Sequence, residues 1–229
     1  MVNKNETYLL VTEKAWHNDL FQQLKLEIDG NWVRYSTKEE FNIDNLNTIK
    51  PTLIFFPHWS YLIPAEIYLN YECIVLHMTD LPYGRGGSPL QNLIVRGHTE
   101  TVISALRVTG GIDEGPVYLK LPLSLYGTAE EIILRSKPAI KDIITLIIQN
   151  RPVPIEQRGE PVIFKRRKPQ ESNIQELTEL VTAYDYIRML DAEGYPNAFI
   201  ESTNFKFEFS AASLKCDNSI TAHVKISKK

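Results

Sequence analysis

Four short, largely apolar runs stand in the first third of the chain: Tyr8–Val11 (YLLV), Trp32–Tyr35 (WVRY), Leu53–Phe56 (LIFF) and Cys73–His77 (CIVLH). A strand with one wet face alternates polar and apolar residues, whereas runs with little alternation need cover on both faces. Helical patterns separate them, near Asp19–Leu26 and at Ala65–Asn70. Buried strands separated by helices predict an α/β fold, with a mostly parallel sheet in Rossmann-like order and helices on both faces.

The middle of the chain continues the pattern. Ser88-Pro89 opens a helix, because Ser suits the N-cap and Pro the first helical position. Thr101–Val108 reads as a strand broken by Gly110-Gly111, and Val117–Lys120 resumes an extended reading. Thr128 and Glu131 form a capping box. The helix it starts carries Ile132, Ile133, Ile140, Ile143, Ile144 and Ile147 at helical spacing, and Pro138 is expected to kink or divide it. Arg151–Pro161 is rich in Pro and polar residues and reads as the exit from a main domain of residues 1–160. Residues 161–229 then form a small C-terminal extension, part helix (Glu176–Leu190), part strand (Phe205–Phe209, His223–Ile226), with a turn at Glu193–Asn197. Lys165–Lys168 reads as a solvated edge.

Composition narrows the function. The net charge of −3 leaves no broad basic surface, which speaks against a nucleic-acid partner. Cys73 and Cys216 are the only cysteines, too few for a disulfide framework or a zinc site, so no metal is implied. No apolar run reaches the roughly 18 residues of a membrane helix, and the amino-terminal apolar stretch is short for a signal peptide. A cytoplasmic protein with no membrane partner is expected.

Ligands of parallel sheets bind beyond the carboxyl ends of the strands. There His77 ends a buried run and opens a loop dense in turn residues, while Asp113 lies in Gly110-Gly111-Ile112-Asp113-Glu114-Gly115. Taken singly, a His at a strand end is more often a structural residue, and an Asp among glycines more often a turn former. Taken together, they suit acyl transfer to an amine. The imidazole would donate to the developing oxyanion, and the carboxylate would orient the ring and accept the amine's proton. The run Tyr8–Val11 is followed by no glycine-rich turn, which argues against a dinucleotide site. His17, His98 and His223 read as surface or satisfied residues, and Trp59 as a packing residue.

Three ordered motifs carry a resemblance. His77-Met78-Thr79-Asp80-Leu81-Pro82, then Arg85-Gly86-Gly87-Ser88-Pro89-Leu90-Gln91, then Gly111-Ile112-Asp113-Glu114-Gly115 resemble the core of the folate-dependent formyltransferases. The 36 residues from His77 to Asp113 match that family's spacing. The resemblance covers about residues 50–170. It implies that a formyl group passes from 10-formyltetrahydrofolate to an amine, with His77 and Asp113 catalytic. It also implies that Tyr61, Leu62, Ile63 and the segment Arg107, Val108, Thr109, Gly110 hold the pterin. Thr79 stands for the family's Ser, and Thr79, Arg85, Gly86 and Gly87 are candidate acceptor-binding residues, with Arg85 suited to a diphosphate.

Val75 departs from the pattern, because the family places an Asn there to hold the formyl oxygen. Losing one oxyanion donor costs about 2.7–4 kcal/mol of transition-state stabilisation. Thr79, Gln91 and Asn92 are candidate substitutes, and a catalytically silent folate- or nucleotide-binding relative is the alternative. The wording of the loop, together with Phe56-Pro57-His58-Trp59-Ser60-Tyr61-Leu62-Ile63-Pro64, is similar to a bacterial sugar N-formyltransferase branch related to pseudaminic acid and surface-glycan synthesis. That implies a nucleotide-sugar acceptor, such as a UDP-linked 4-amino-4,6-dideoxy sugar, and allows a homodimer. The rival acceptor is methionyl-tRNA. Against it stand the acidic balance and the tail of about 60 residues, short for a dedicated tRNA-binding domain.

Overall fold

The structure is a computed structural model and describes residues 5–229. Along the chain run β1 (Thr7–Val11), α1 (Asn18–Glu27), β2 (Asn31–Tyr35), α2 (Ile43–Ile49), β3 (Leu53–Pro57), α3 (Ala65–Tyr68), β4 (Cys73–His77), β5 (Tyr83–Gly86), α4 (Pro89–Val95), β6 (Glu100–Arg107) and β7 (Val117–Ser124). They continue with α5 (Ala129–Asn150), β8 (Val162–Phe164), α6 (Leu180–Arg188), β9 (Ala198–Glu201), β10 (Phe205–Leu214) and β11 (Ile220–Lys228).

The main sheet has the order β2-β1-β3-β4-β6-β7. β1 pairs in parallel with β2 and β3, and β3 with β4, whereas β6 lies antiparallel to β4. The expected mostly parallel α/β sheet is therefore present, with β6 reversing the direction. Tyr8, Leu9, Leu10 and Val11 are fully buried, as are Ile54, Phe55 and Phe56 of β3. Both faces of these strands are covered, which is why neither run alternates. Leu20 and Leu24 of α1 lie one helical turn apart and are both buried.

Local signals explain the boundaries and the misses. Residues 43–49 carry no sequence expectation, yet they form α2, whose N-terminus is satisfied by the Asn42 side chain accepting from the Asn45 N–H at 2.9 Å. The capping box at α5 is present: the Thr128 N–H donates to Glu131 Oε2 (2.8 Å) and the Glu131 N–H to Thr128 Oγ1 (3.2 Å). All six isoleucines expected on the apolar stripe of α5 are buried. Pro138 does not divide α5, which runs through it. The carbonyl of Leu134, four residues earlier, loses its helical partner, but Leu134 is 50% exposed and water can replace that bond.

Ser88 precedes a helix as expected, but it is no side-chain cap. It adopts a left-handed conformation (φ +51°), and its hydroxyl instead accepts from the Arg167 N–H at 3.1 Å. The helix expected over 176–190 forms at Leu180–Arg188. β9, which the sequence reading leaves out, joins β10 and β11 in an antiparallel sheet of order β11-β10-β9.

The chain forms two compact units. One comprises the described residues up to Arg85 with Thr101–Leu123 and Arg135–Ile163; the other comprises Gly86–Glu100, Ser124–Leu134 and Phe164–Lys229. Among the described residues no helix is long and apolar enough to cross a membrane.

Ile144 has no solvent exposure on the inner face of α5. Ile144→Ala removes its contacts and leaves a cavity, and equilibrium urea unfolding should show a loss of about 2–5 kcal/mol.

Candidate active site

β4 ends at the candidate site. Its last pairs place Leu76 beside Pro57 of β3 and beside Ala105 of β6, and His77 opposite Ser104. His77 is buried. Its Nε2 donates to the Gly84 carbonyl oxygen (2.8 Å), which also accepts from Thr79 Oγ1 (3.3 Å). Ser104 Oγ donates to the Thr79 carbonyl oxygen at 2.6 Å. The loop after β4 is thus tied back onto the strand end, and Leu81–Pro82 within it is a cis peptide.

The structure brings His77 and Asp113 together, with Nδ1 3.5 Å from Oδ2. Asp113 has φ +52°, a left-handed conformation that costs a non-glycine residue about 1–3 kcal/mol and needs support from its surroundings. Gln157 gives that support. Its Nε2 donates to the carbonyl oxygens of Asp113 and Gly115, both at 2.8 Å, and its Oε1 accepts from Arg85 Nε (3.1 Å) and Nη2 (2.9 Å). All four bonds an amide can make are formed. Gly115 is required sterically, because a Cβ there would stand 1.7 Å from the Arg107 carbonyl oxygen.

Gln157 lies in the segment read as the exit from the main domain, and no sequence signal singled it out. Its position follows from a backbone pair: the Val117 N–H donates to Ile155 O (2.8 Å), and the Ile155 N–H to Val117 O (2.9 Å). A strand-edge bridge two residues before a glutamine is invisible without the partner strand.

The other expected site residues have these neighbours. Arg85 meets Glu114 at 3.5 Å as well as Gln157. A Cβ on Gly86 (φ +104°) would stand 2.4 Å from the Phe164 carbonyl oxygen, and one on Gly87 2.6 Å from Arg166 Cβ. Close packing against the chain at 164–166 therefore accounts for both glycines. Tyr61 and Leu62 are exposed, at 40% and 79%. Ile63 and Val108 pack on one apolar cluster with Leu9, Val11 and Phe56. Arg107 binds Glu72 and the Tyr118 hydroxyl, each at 3.0 Å, while Thr109 is half-buried and Gly110 exposed.

Val75 stands between Phe56 and Leu106 in the sheet and offers no donor. The three expected substitutes are all engaged elsewhere. Thr79 holds Gly84, Gln91 Nε2 donates to Met189 O (3.3 Å), and Asn92 Nδ2 lies within 2.9–3.1 Å of the carbonyl oxygens of Gly87, Ser88 and Lys165. His17, buried and bonded to Thr12 as a satisfied residue, and His58 sit near the same strand ends. Burial, above all, pushes the His17 imidazole down to about 2 and that of His58 down to about 4.

His77 and Asp113 thus meet at the carboxyl end of the fourth strand of a mostly parallel sheet, within an α/β domain. Among the described residues no group of three or more His, Cys, Asp or Glu could hold a metal. The chain described as methionyl-tRNA formyltransferase from Clostridium thermocellum matches with a TM-score of 0.94 and 47% identity, over 98% of this chain and 100% of that one. This protein belongs to the formyltransferase family.

A family model, that of the methionyl-tRNA formyltransferase C-terminal domain, matches residues 169–227. The methionyl-tRNA formyltransferase of Campylobacter lari is 28% identical over 73% of this chain and 55% of its own length. The chain spans about half the length of several such curated relatives. A 4-N formyltransferase from Francisella tularensis shares the fold, with a TM-score of 0.68 over 95% of this chain and 96% of that one, at 15% identity.

These findings correct the expected partners. The relatives named above at 28% and 47% identity carry tRNA in their names, against the expectation of a nucleotide-sugar substrate and no nucleic acid. The sugar-nucleotide branch is likewise not what they support, since the 4-N enzyme is similar in fold alone. The expectation failed because whole-chain charge is an average. Residues 164–229 hold ten Lys and Arg against nine Asp and Glu, so the acidic balance lies elsewhere. The tail judged short for a dedicated tRNA-binding domain is nearly all matched by the model of a methionyl-tRNA formyltransferase C-terminal domain.

Two predictions follow from this geometry. Gln157→Leu leaves the carbonyl oxygens of Asp113 and Gly115 without their donor, a loss of about 1–3 kcal/mol; hydrogen exchange at the amides of residues 110–115 should quicken at least tenfold. His17 binds no proton in the folded state near neutrality, whereas the unfolded chain protonates it below about pH 6.5. Stability therefore rises with pH in this window. Acidification from pH 6.5 to 5 should remove about 2 kcal/mol through His17, and His17→Asn should show a correspondingly flatter pH dependence of its urea midpoint.

Proposed function

We propose that this protein transfers the formyl group of 10-formyltetrahydrofolate to the amino group of methionyl-tRNA. The observation that carries the chemistry is the His77–Asp113 contact of 3.5 Å at the end of β4. The observation that favours the acceptor is the full-length match to the Clostridium thermocellum chain.

10-Formyltetrahydrofolate is consumed in the reaction and is a substrate. Exposed Tyr61 and Leu62, with Ile63 and Val108 on a shared apolar base, suit the flat pterin ring. His77 holds a carbonyl oxygen, that of Gly84, at Nε2. The formyl oxygen presents the same acceptor chemistry, so His77 can exchange one carbonyl for the other as substrate enters; hydrogen bonds at such sites often complete only in the complex. Asp113 takes the proton that the attacking amine loses, with His77 Nδ1 placed to share it. Gln157 holds Asp113 in its strained conformation before substrate arrives, so little reorganisation is left for the reaction step. Arg85, bonded to Gln157 and Glu114, braces the same loop.

The test is a formylation assay with 10-formyltetrahydrofolate and methionyl-tRNA, read by mass spectrometry of the released amino acid. Formyl-methionine should accumulate, and His77→Ala and Asp113→Asn should each lower kcat by at least about a hundredfold. No formyl-methionine from the unaltered protein would end the methionyl-tRNA reading.

A further inference from the structure

A line of polar contacts runs along the carboxyl ends of β1, β3 and β4, and no role above uses it. Thr12 Oγ1 lies 2.8 Å from His17 Nδ1. His17 Nε2 lies 3.2 Å from His58 Nδ1, and His58 Nε2 lies 3.1 Å from Met78 Sδ. Its direction follows from the Met78 end. A thioether has no hydrogen to give and accepts only weakly, so His58 carries its hydrogen at Nε2. His58 Nδ1 then accepts from His17 Nε2, and His17 Nδ1 accepts from Thr12 Oγ1, which itself accepts from the Lys14 N–H (3.3 Å).

The position of His58 is equally constrained. Pro57 pairs with Leu76, so His58 and His77 are the next residues of two adjacent parallel strands. His58 has φ +53°, a conformation that few non-glycine residues adopt. Its imidazole is neutral across the physiological range, because burial first, then the neighbouring Lys14 and His77, push it down to about 4. A neutral donor of fixed direction thus stands beside the His–Asp pair, matched to an acceptor that barely uses it.

We propose that the His58 Nε2–H is a catalytic oxyanion donor, which turns from the Met78 sulfur to the formyl oxygen when the donor binds and bonds it far more strongly as negative charge develops there. The inference rests on the reading of this protein as a formyltransferase. As the amine nitrogen attacks the formyl carbon, the carbonyl π pair moves onto oxygen, and His58 meets it. When the carbonyl re-forms, the bond to N10 of tetrahydrofolate breaks. The amine has lost one proton and N10 gains one, so atoms and charge balance. A thioether is a poor partner and an oxyanion a strong one, so the exchange favours the transition state over the ground state, which is the condition for a gain in kcat. Val75 has no side-chain donor, and Thr79, Gln91 and Asn92 are committed to other carbonyls.

The experiment uses the full chain and two readouts. In the first, His58→Leu should lower kcat by about 10²–10³-fold with the KM for 10-formyltetrahydrofolate changed less than about threefold, and His58→Gln, which restores an N–H, should recover at least tenfold. In the second, the ¹⁵N resonance of His58 Nε2 in the unaltered protein should shift with 10-formyltetrahydrofolate and not with tetrahydrofolate. Full activity in His58→Leu, no recovery in a folded His58→Gln, or equal ¹⁵N shifts with both folates would overturn the proposal. A formyl-specific shift without any formyl-methionine would sink the acceptor reading and leave His58 standing. Formyl-methionine production undiminished in His58→Leu would do the reverse.

Discussion

β4 is paired on both edges, in parallel with β3 and antiparallel to β6, and the candidate site depends on that register. Side chains alternate along a strand, so the pairing decides at once which face His77 occupies and which residues flank it. It sets Val75 between Phe56 and Leu106, and a valine side chain there carries no donor. It also brings the end of β3, and with it His58, alongside His77. A slip of one residue would turn His77 to the opposite face and separate it from Asp113.

The second constraint is the strained loop around Asp113. A left-handed aspartate persists only where its neighbours over-determine it. Here a single amide does much of that work, with both hydrogens of Gln157 on the loop's carbonyl oxygens and its oxygen on Arg85. The carboxylate is positioned from its backbone, and its Oδ2 lies 3.5 Å from His77 Nδ1. The 1.7 Å clearance at Gly115 shows how closely the loop lies against the end of β6.

A site of this kind says little about its acceptor. An attacking amine is the one feature that every N-formyl acceptor shares. The 4-N formyltransferase has the same fold at 15% identity, while the chain matched over its whole length at 47% identity bears the name of a tRNA-directed enzyme. Discrimination among acceptors has to come from surfaces beyond the reacting atoms. The match of residues 169–227 to a methionyl-tRNA formyltransferase C-terminal domain makes that segment the natural place to look.

The sequence by itself determined the strands of the main sheet and, through the family resemblance, singled out His77 and Asp113 as a candidate pair. β1, β3 and β4 were legible because burial on both faces writes itself as unbroken apolar runs, and α5 because its isoleucines repeat with the helical period. His77 and Asp113 stood out because three ordered motifs around them, at matching separations, resemble a family core. Only the tertiary structure decided what supports them. Gln157 acts through a bridge between residues 117 and 155, and His58 through neighbours at 17 and 78. Both are long-range pairings of single polar side chains, without period, motif or composition to announce them. Ser88 shows the same limit from the other side: its local pattern promises a helix cap, but a backbone N–H from residue 167 takes its hydroxyl. Local patterns report which face of an element is buried, and which polar atoms meet is settled only when distant segments are brought together.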